Sequence, residues 1–167
     1  MIHGRALIAT CLLGFSLSVG QAAAQTLRIG LAEDPDTLDP TLSRSFVSGV
    51  VRTALCDKLF DIGLELEIVP QLATAWEWTD DQKGLVIKLR SGVKFHDGEP
   101  FDAAAVKYNI DRHLTMPGST RRNDIKGITG VEVIDDHTAK LVLSSPLSPL
   151  LAQLVSAAGA MVSALSS

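Results

Sequence analysis

Residues 93–113 read VKFHDGEPFDAAAVKYNIDRH. His96, Asp97, Glu99, Asp102, Asp111 and His113 fall within this one stretch, which invites a search for a metal site or a general base. Elementary backbone chemistry gives most of these groups another task. Asp97-Gly98 is turn chemistry, because an aspartate bonds nearby backbone N–H groups and glycine accepts positive φ. Phe101-Asp102 followed by Ala-Ala-Ala-Val predicts a helix start, with Asp102 as the N-cap. Phe101 then staples onto Val106, although Ala105 leaves out the glutamate of a full capping box. The helix runs to about Leu114, with Val106, Asn109, Ile110 and His113 along one side, and Met116-Pro117-Gly118 stops it. His113 lies near its C-terminus, where the dipole favours a charged imidazole. Asp111 and Arg112 are adjacent and do not face each other.

Working upstream, QLATAW (71–76) offers one helical turn carrying Leu72 and Trp76. WEWT and LVIKLR flank the polar turn DDQKG and predict an antiparallel hairpin. LELEIV (64–69) alternates as a short strand closed by Pro70. From about Ser45, residues Val47, Val50, Val51, Ala54, Leu55 and Leu59 recur at three- and four-residue spacing, an amphipathic helix. TLRIGLA (26–32) alternates Leu27, Ile29 and Leu31 against Thr26, Arg28 and Gly30, which predicts a first strand. The Pro-, Asp- and Ser-rich segment after it predicts a loop. Downstream, GVEVI and TAKLVLS around DDH predict a second hairpin, and LSPLLAQLVSAAGAMV (147–162) a last apolar helix. Hairpins interleaved with helices place the chain in the α/β class, as a mixed α+β arrangement.

The chain has 167 residues and a formal net charge of −4. With no Lys/Arg block, this mild acidity argues against nucleic acid, whose binding rests on phosphate neutralisation. Met1–Arg5 is a short positive start, ALIATCLLGFSLSV is an apolar run, and Ala22 and Ala24 supply an A-x-A site. Residues 1–24 therefore read as a cleavable signal peptide and residues 25–167 as the exported chain. The run is shorter than the ~20 residues of a membrane span. The Ile-Ala-Thr before Cys11 does not make a small-residue lipobox, which argues against a lipid anchor. Export would leave Cys56 as the single cysteine, without an intramolecular disulfide partner. In VVRTALCDKLF (50–60) it reads as a small packing residue rather than a nucleophile.

Signatures of common catalytic and phosphate-binding sites, such as G-x-S-x-G, G-x-x-x-x-G-K-[ST], C-x-x-C and H-E-x-x-H, do not occur. A zinc site would have to collect His96, His113 and a carboxylate from separated segments, and the usual ligand spacings are not met, so no metal or cofactor is expected. A small secreted hydrolase using His96, Asp97 and His113 remains the enzymatic alternative, resting only on their clustering. A chain with no present function is a second alternative.

Residues 70–112, PQLATAWEWTDDQKGLVIKLRSGVKFHDGEPFDAAAVKYNIDR, resemble the signature region of the family 5 extracellular solute-binding proteins, the peptide/nickel type that serves ABC importers. Pro70, Leu72, Ala73 and Trp76, then Lys88 to Gly98, then Phe101, Ala103 and Val106 carry the resemblance. DTLDP (36–40) and GVEVIDDHTAKLVLSSPLSPLLAQL (130–154) extend it over residues 26–162. It implies a type II periplasmic-binding architecture, here an incomplete one: the start of lobe one plus the small subdomain of much longer proteins. It further implies a monomeric periplasmic protein that binds a small solute, a peptide or a relative of one, and hands it to an inner-membrane permease, with no chemistry performed. Peptide, glutathione-like, nickel-chelate and opine binders share this region, so it leaves the solute open. The loop Thr37–Phe46 follows the first expected strand, and ligands of open α/β sheets favour the carboxyl ends of strands. Ser43, Arg44, Ser45 and Phe46 are accordingly the candidate ligand residues, Arg44 for a carboxylate and the serines as hydrogen-bond donors.

Overall fold

Leu85, Ile87 and Leu89 alternate with Val86 and Lys88, and this period-two pattern builds the centre of the molecule. A computed structural model describes residues 26–165. The strand β4 (Gly84–Leu89) pairs antiparallel with β3 (Ala73–Trp78) on one side and with β6 (Thr138–Leu143) on the other. β5 (Ile128–Asp135) closes the sheet in the order β3-β4-β6-β5. Leu85, Ile87, Leu89, Val131, Ala139, Leu141 and Leu143 are buried on one face. Helix α2 (Ala103–Thr115) covers that face with Ala103, Val106 and Ile110. The opposite face mixes Lys88, Glu132 and Lys140 with Val86 and Val142, and directly opposed Glu132 and Lys140 pair across it at 3.1 Å. Both expected hairpins form.

The stretch 93–113 takes the geometry its chemistry dictates. Phe95 N–H bonds Glu99 O at 2.8 Å, Glu99 N–H bonds Asp97 Oδ1, and Gly98 sits at φ +92°. Asp102 caps α2 by accepting from Ala105 N–H at 2.8 Å. Phe101 and Val106 are buried in the same cluster, and Phe101 meets Phe95 edge to face. Ala103 N–H also bonds Asp136 O, so the β5–β6 turn fixes where α2 begins.

Before this layer come α1 (Phe46–Leu55) and the two-stranded hairpin of β1 (Phe60–Ile62) and β2 (Ile68–Pro70). After it come a one-turn helix α3 (Leu150–Leu154) and a 3-10 turn at Ala157–Gly159. The chain then folds back. Leu59 N–H bonds Gly159 O, Met161 N–H bonds Asp57 O, and Lys58 bridges Ala160, so the end of the described chain lies along the start of β1. Among the described residues no helix is long and apolar enough to cross a membrane.

Four expectations are corrected. Residues 73–76 form strand, not a helical turn: a register shift between Ala73 and Ala75 makes the step from inward Ala73 to inward Trp76 three residues, a spacing that mimics a helix. Only Ile68–Pro70 of the 64–70 segment is strand. Gly63–Glu67 form the hairpin tip, with Leu66 at φ 64° and Leu64 and Leu66 exposed. The last apolar helix breaks after Leu154, because Ser156 caps a new turn and Gly159 passes against Leu154 O, where a Cβ would stand only 1.7 Å away. Residues 26–30 carry no strand, and Leu27 and Ile29 are exposed. Alternation becomes a strand only against a partner, and no described strand pairs with it. These five belong to a unit ending at Gly30, separate from the unit Leu31–Ser167 that holds every element above. The expected signal peptide lies outside the described residues.

Candidate functional site

The loop before α1 is held from both ends. Asp36 accepts from the Ser48 hydroxyl and from Arg44 N–H, and these bonds, Ser48 first, hold its carboxyl well below the usual range. Asp39 takes a two-point grip from Arg112, Nη1 to Oδ1 at 2.8 Å and Nη2 to Oδ2 at 2.6 Å. That bond with Arg112 is the chief reason the Asp39 carboxyl is also lowered. Thr41 Oγ1 receives Arg112 Nη1 and meets His113 Nδ1 at 3.0 Å. Thr120 Oγ1 donates to the carbonyls of Thr41 and Ser43.

The candidate residues 43–46 then divide by role. Ser43 is buried, and its hydroxyl accepts from Arg52 Nη1 at 2.9 Å. Ser45 is the N-cap of α1, accepting from Ser48 N–H at 3.0 Å. Arg44 is exposed, and its guanidinium has no partner among the described residues. Phe46 is 84% exposed. The loop thus uses both serines to hold itself and α1, and it presents Arg44 and Phe46 outward.

Phe46 opens onto a concavity of about 480 Å³ along α1, lined also by Gly49, Val50, Arg52, Thr53, Cys56, Lys58, Arg121 and the segment Val155–Ala157. Phe46, Gly49, Val50 and Thr53 stand at three-, four- and seven-residue spacing, one stripe of the helix. This explains why α1 departs from its expected core face. Val47 and Ser48 are buried, whereas Val50 and Leu55 remain exposed, because much of the helix borders open space instead of the core. Sequence reading missed Arg52, Lys58 and Arg121. Arg52 had a signal, an arginine inside an otherwise apolar helical run, but Arg121 reaches the site only through the fold.

A second concavity, about 630 Å³, opens on the other side of Thr53 and Cys56 and is lined by Leu72, Val93–Asp97, Phe101 and Met161–Ser163. His96 and Asp97 belong to it, but His113 does not. Asp97 is held low chiefly by a hydrogen bond with Ser163 and then by Glu99 N–H, a turn-and-anchor role. His113 is buried within α2 against Thr41, and its Nε2 has no partner among the described residues. Burial, then the charges of Arg112 and Arg121, push its pKa down to about 4. The expectation of a dipole-stabilised charged imidazole is therefore corrected: desolvation and two neighbouring guanidiniums outweigh the helix end. His96, Asp97 and His113 form no catalytic constellation. Among the described residues no group of three or more His, Cys, Asp or Glu side chains could hold a metal ion. Cys56 is half-buried, and burial raises its thiol pKa, which makes it a poor nucleophile.

Comparison with known proteins places this geometry. The family model of bacterial extracellular solute-binding proteins, family 5 Middle, matches residues 67–165. The glutathione-binding protein GsiB of Escherichia coli K12 is 31% identical over 163 residues, which cover 97% of this chain and 32% of that protein. Among solved structures, the binding protein AgaA of A. tumefaciens R10 in complex with agropinic acid superposes with a TM-score of 0.73 at 32% identity, covering 79% of this chain and 27% of that one. The murein tripeptide binding protein MppA of Escherichia coli superposes with a TM-score of 0.73 at 25% identity, over 80% of this chain and 30% of its own. The chain spans about a third of the length of the curated relatives it matches.

Proposed function

Because the chain belongs to the bacterial extracellular solute-binding proteins of family 5, we propose that it is a solute-binding component of an ABC importer, taking a peptide or a related small solute and passing it to a membrane permease. Its mixed α/β fold is that of the type II periplasmic binding proteins, of which it carries a part. The match across residues 67–165 carries the reading. Relatives named for glutathione and for a murein tripeptide support a peptide-like solute. Residues 1–24 are the export signal, and the protein works in the periplasm without chemistry of its own.

The solute contacts the α1 side of the molecule. Arg44 and Phe46 stand outward on a loop tied down by Asp36, Asp39, Ser43 and Ser45, so the backbone beneath them is ordered before a ligand arrives. Such prior ordering lowers the entropy cost of binding. The adjoining concavity supplies both apolar wall and positive charge.

Calorimetric titration of the full chain with a mixed pool of di- to pentapeptides tests this. A saturable heat is expected. Absence of heat at millimolar peptide contradicts a peptide-binding function for this chain.

A further inference from the structure

Arg52 forms no ion pair with a described residue. Lys58 and Arg121 line the same concavity, and both are neutralised, by Asp61 at 2.6 Å and by Asp124 at 3.2 Å. No described carboxylate lies within ion-pair distance of Arg52. Its one bond uses Nη1, on Ser43 Oγ at 2.9 Å. A guanidinium has five N–H donors in a planar fork that matches a carboxylate at two points, so the Nε–Nη2 edge is free to accept one.

The surroundings favour an anion there. Arg121 Nη2 donates to Ser43 O at 3.1 Å, so two guanidiniums converge on one residue. Burial, then the field of Arg121, pushes the Arg52 pKa down, with Cys56 and Asp36 offsetting part of the effect. Gly49 lies one turn earlier on α1, and a Cβ added there would stand 3.8 Å from Arg52 Nη2. Gly49 thus places the Arg52 guanidinium beside the α1 backbone. Phe46 and Val50 flank it with exposed apolar surface.

We propose that Arg52, steadied by Ser43 and backed by Arg121, anchors a carboxylate of the bound solute, while Phe46 and Val50 take the apolar part next to it. This rests on the solute-binding reading of the same concavity, and it narrows the solute to an acid. Arg52 is the contact residue; Ser43 and Arg121 position it and add positive field.

Two titrations of the full chain separate the subsite from the wider reading. In the first, succinate is added at constant ionic strength while the Nε–H resonance of Arg52 is followed, assigned by its loss in Arg52→Lys. A saturable shift at Arg52, with only linear drift at Arg90, is expected; equal linear drift at both overturns the subsite. In the second, calorimetry compares the peptide pool with the same pool carrying C-terminal amides. The free acids should bind about tenfold tighter, the scale of one charge-assisted hydrogen-bonded contact, and Arg52→Gln should remove most of that difference. Equal affinity for acid and amide overturns the proposal. A saturating succinate response without heat from either pool upholds the subsite and overturns the peptide reading instead.

Discussion

Arg112 and Asp39 lie 73 residues apart in sequence and meet through two parallel bonds of 2.6 and 2.8 Å, which fasten the loop before α1 to the last turn of α2. Arg112 is nearly buried, with 9% of its side chain exposed, and Asp39 is at the rim with 22%. Asp39→Ala should therefore cost about 2 kcal/mol in urea unfolding, the range for a half-buried charged hydrogen bond reduced by solvent at its open side. The folded-state carboxyl pKa is lowered, so the contribution is complete above the ordinary aspartate range and fades as pH falls through it. Asp39→Ala and wild type should converge in stability at the acid end.

His113 sets a second titration that runs in the same direction but begins at higher pH. Its imidazole is held at about 4 against an ordinary 6.5, so the unfolded chain takes up its proton first as pH drops. Stability from this residue is full above pH 6.5 and declines down to about pH 4. The loss is of the order of 3 kcal/mol, by the free energy of a shift this size. His113→Gln should flatten that part of the profile, as read by chemical unfolding at pH 7.5 and 4.5; an unchanged slope would remove the buried-neutral assignment.

Asp102→Ala removes the acceptor for Ala105 N–H at the start of α2. The loss should be about 1 kcal/mol with an unchanged denaturant slope. The same substitution should leave calorimetric binding untouched, since Asp102 lines neither concavity.

Gly159→Ala would bring a Cβ to 1.7 Å from Leu154 O, a backbone atom that cannot step aside. The 3-10 turn must open, and with it the Leu59–Gly159 bond that ties the last described segment to β1. A loss of about 1–3 kcal/mol is expected, the usual cost of overpacking. Thermal unfolding that leaves the midpoint unchanged would refute this close approach.

The sequence was most legible where one residue's chemistry fixes one local geometry. Asp97-Gly98 made a turn, Asp102 capped α2, and DDQKG and DDH closed hairpins. It misled where a long-range partner decides. The bulge at Ala73/Ala75 disguised β3 as a helical turn, and Gly159 ended a helix that its composition would have continued. Of the four loop residues singled out by sequence, Arg44 and Phe46 are exposed, while Ser43 and Ser45 are occupied in holding the loop and α1. Arg121 could not be found from spacing, because it reaches Ser43 across 78 residues of sequence.

Hydrogen–deuterium exchange of the full chain, with and without the peptide pool, tests most directly where a solute binds. Protection concentrated in Phe46–Lys58 and Val155–Ala157, the elements bordering the Arg52 concavity, is the predicted result. Protection confined to Val93–Asp97 and Met161–Ser163, on the far side of Cys56, would contradict it.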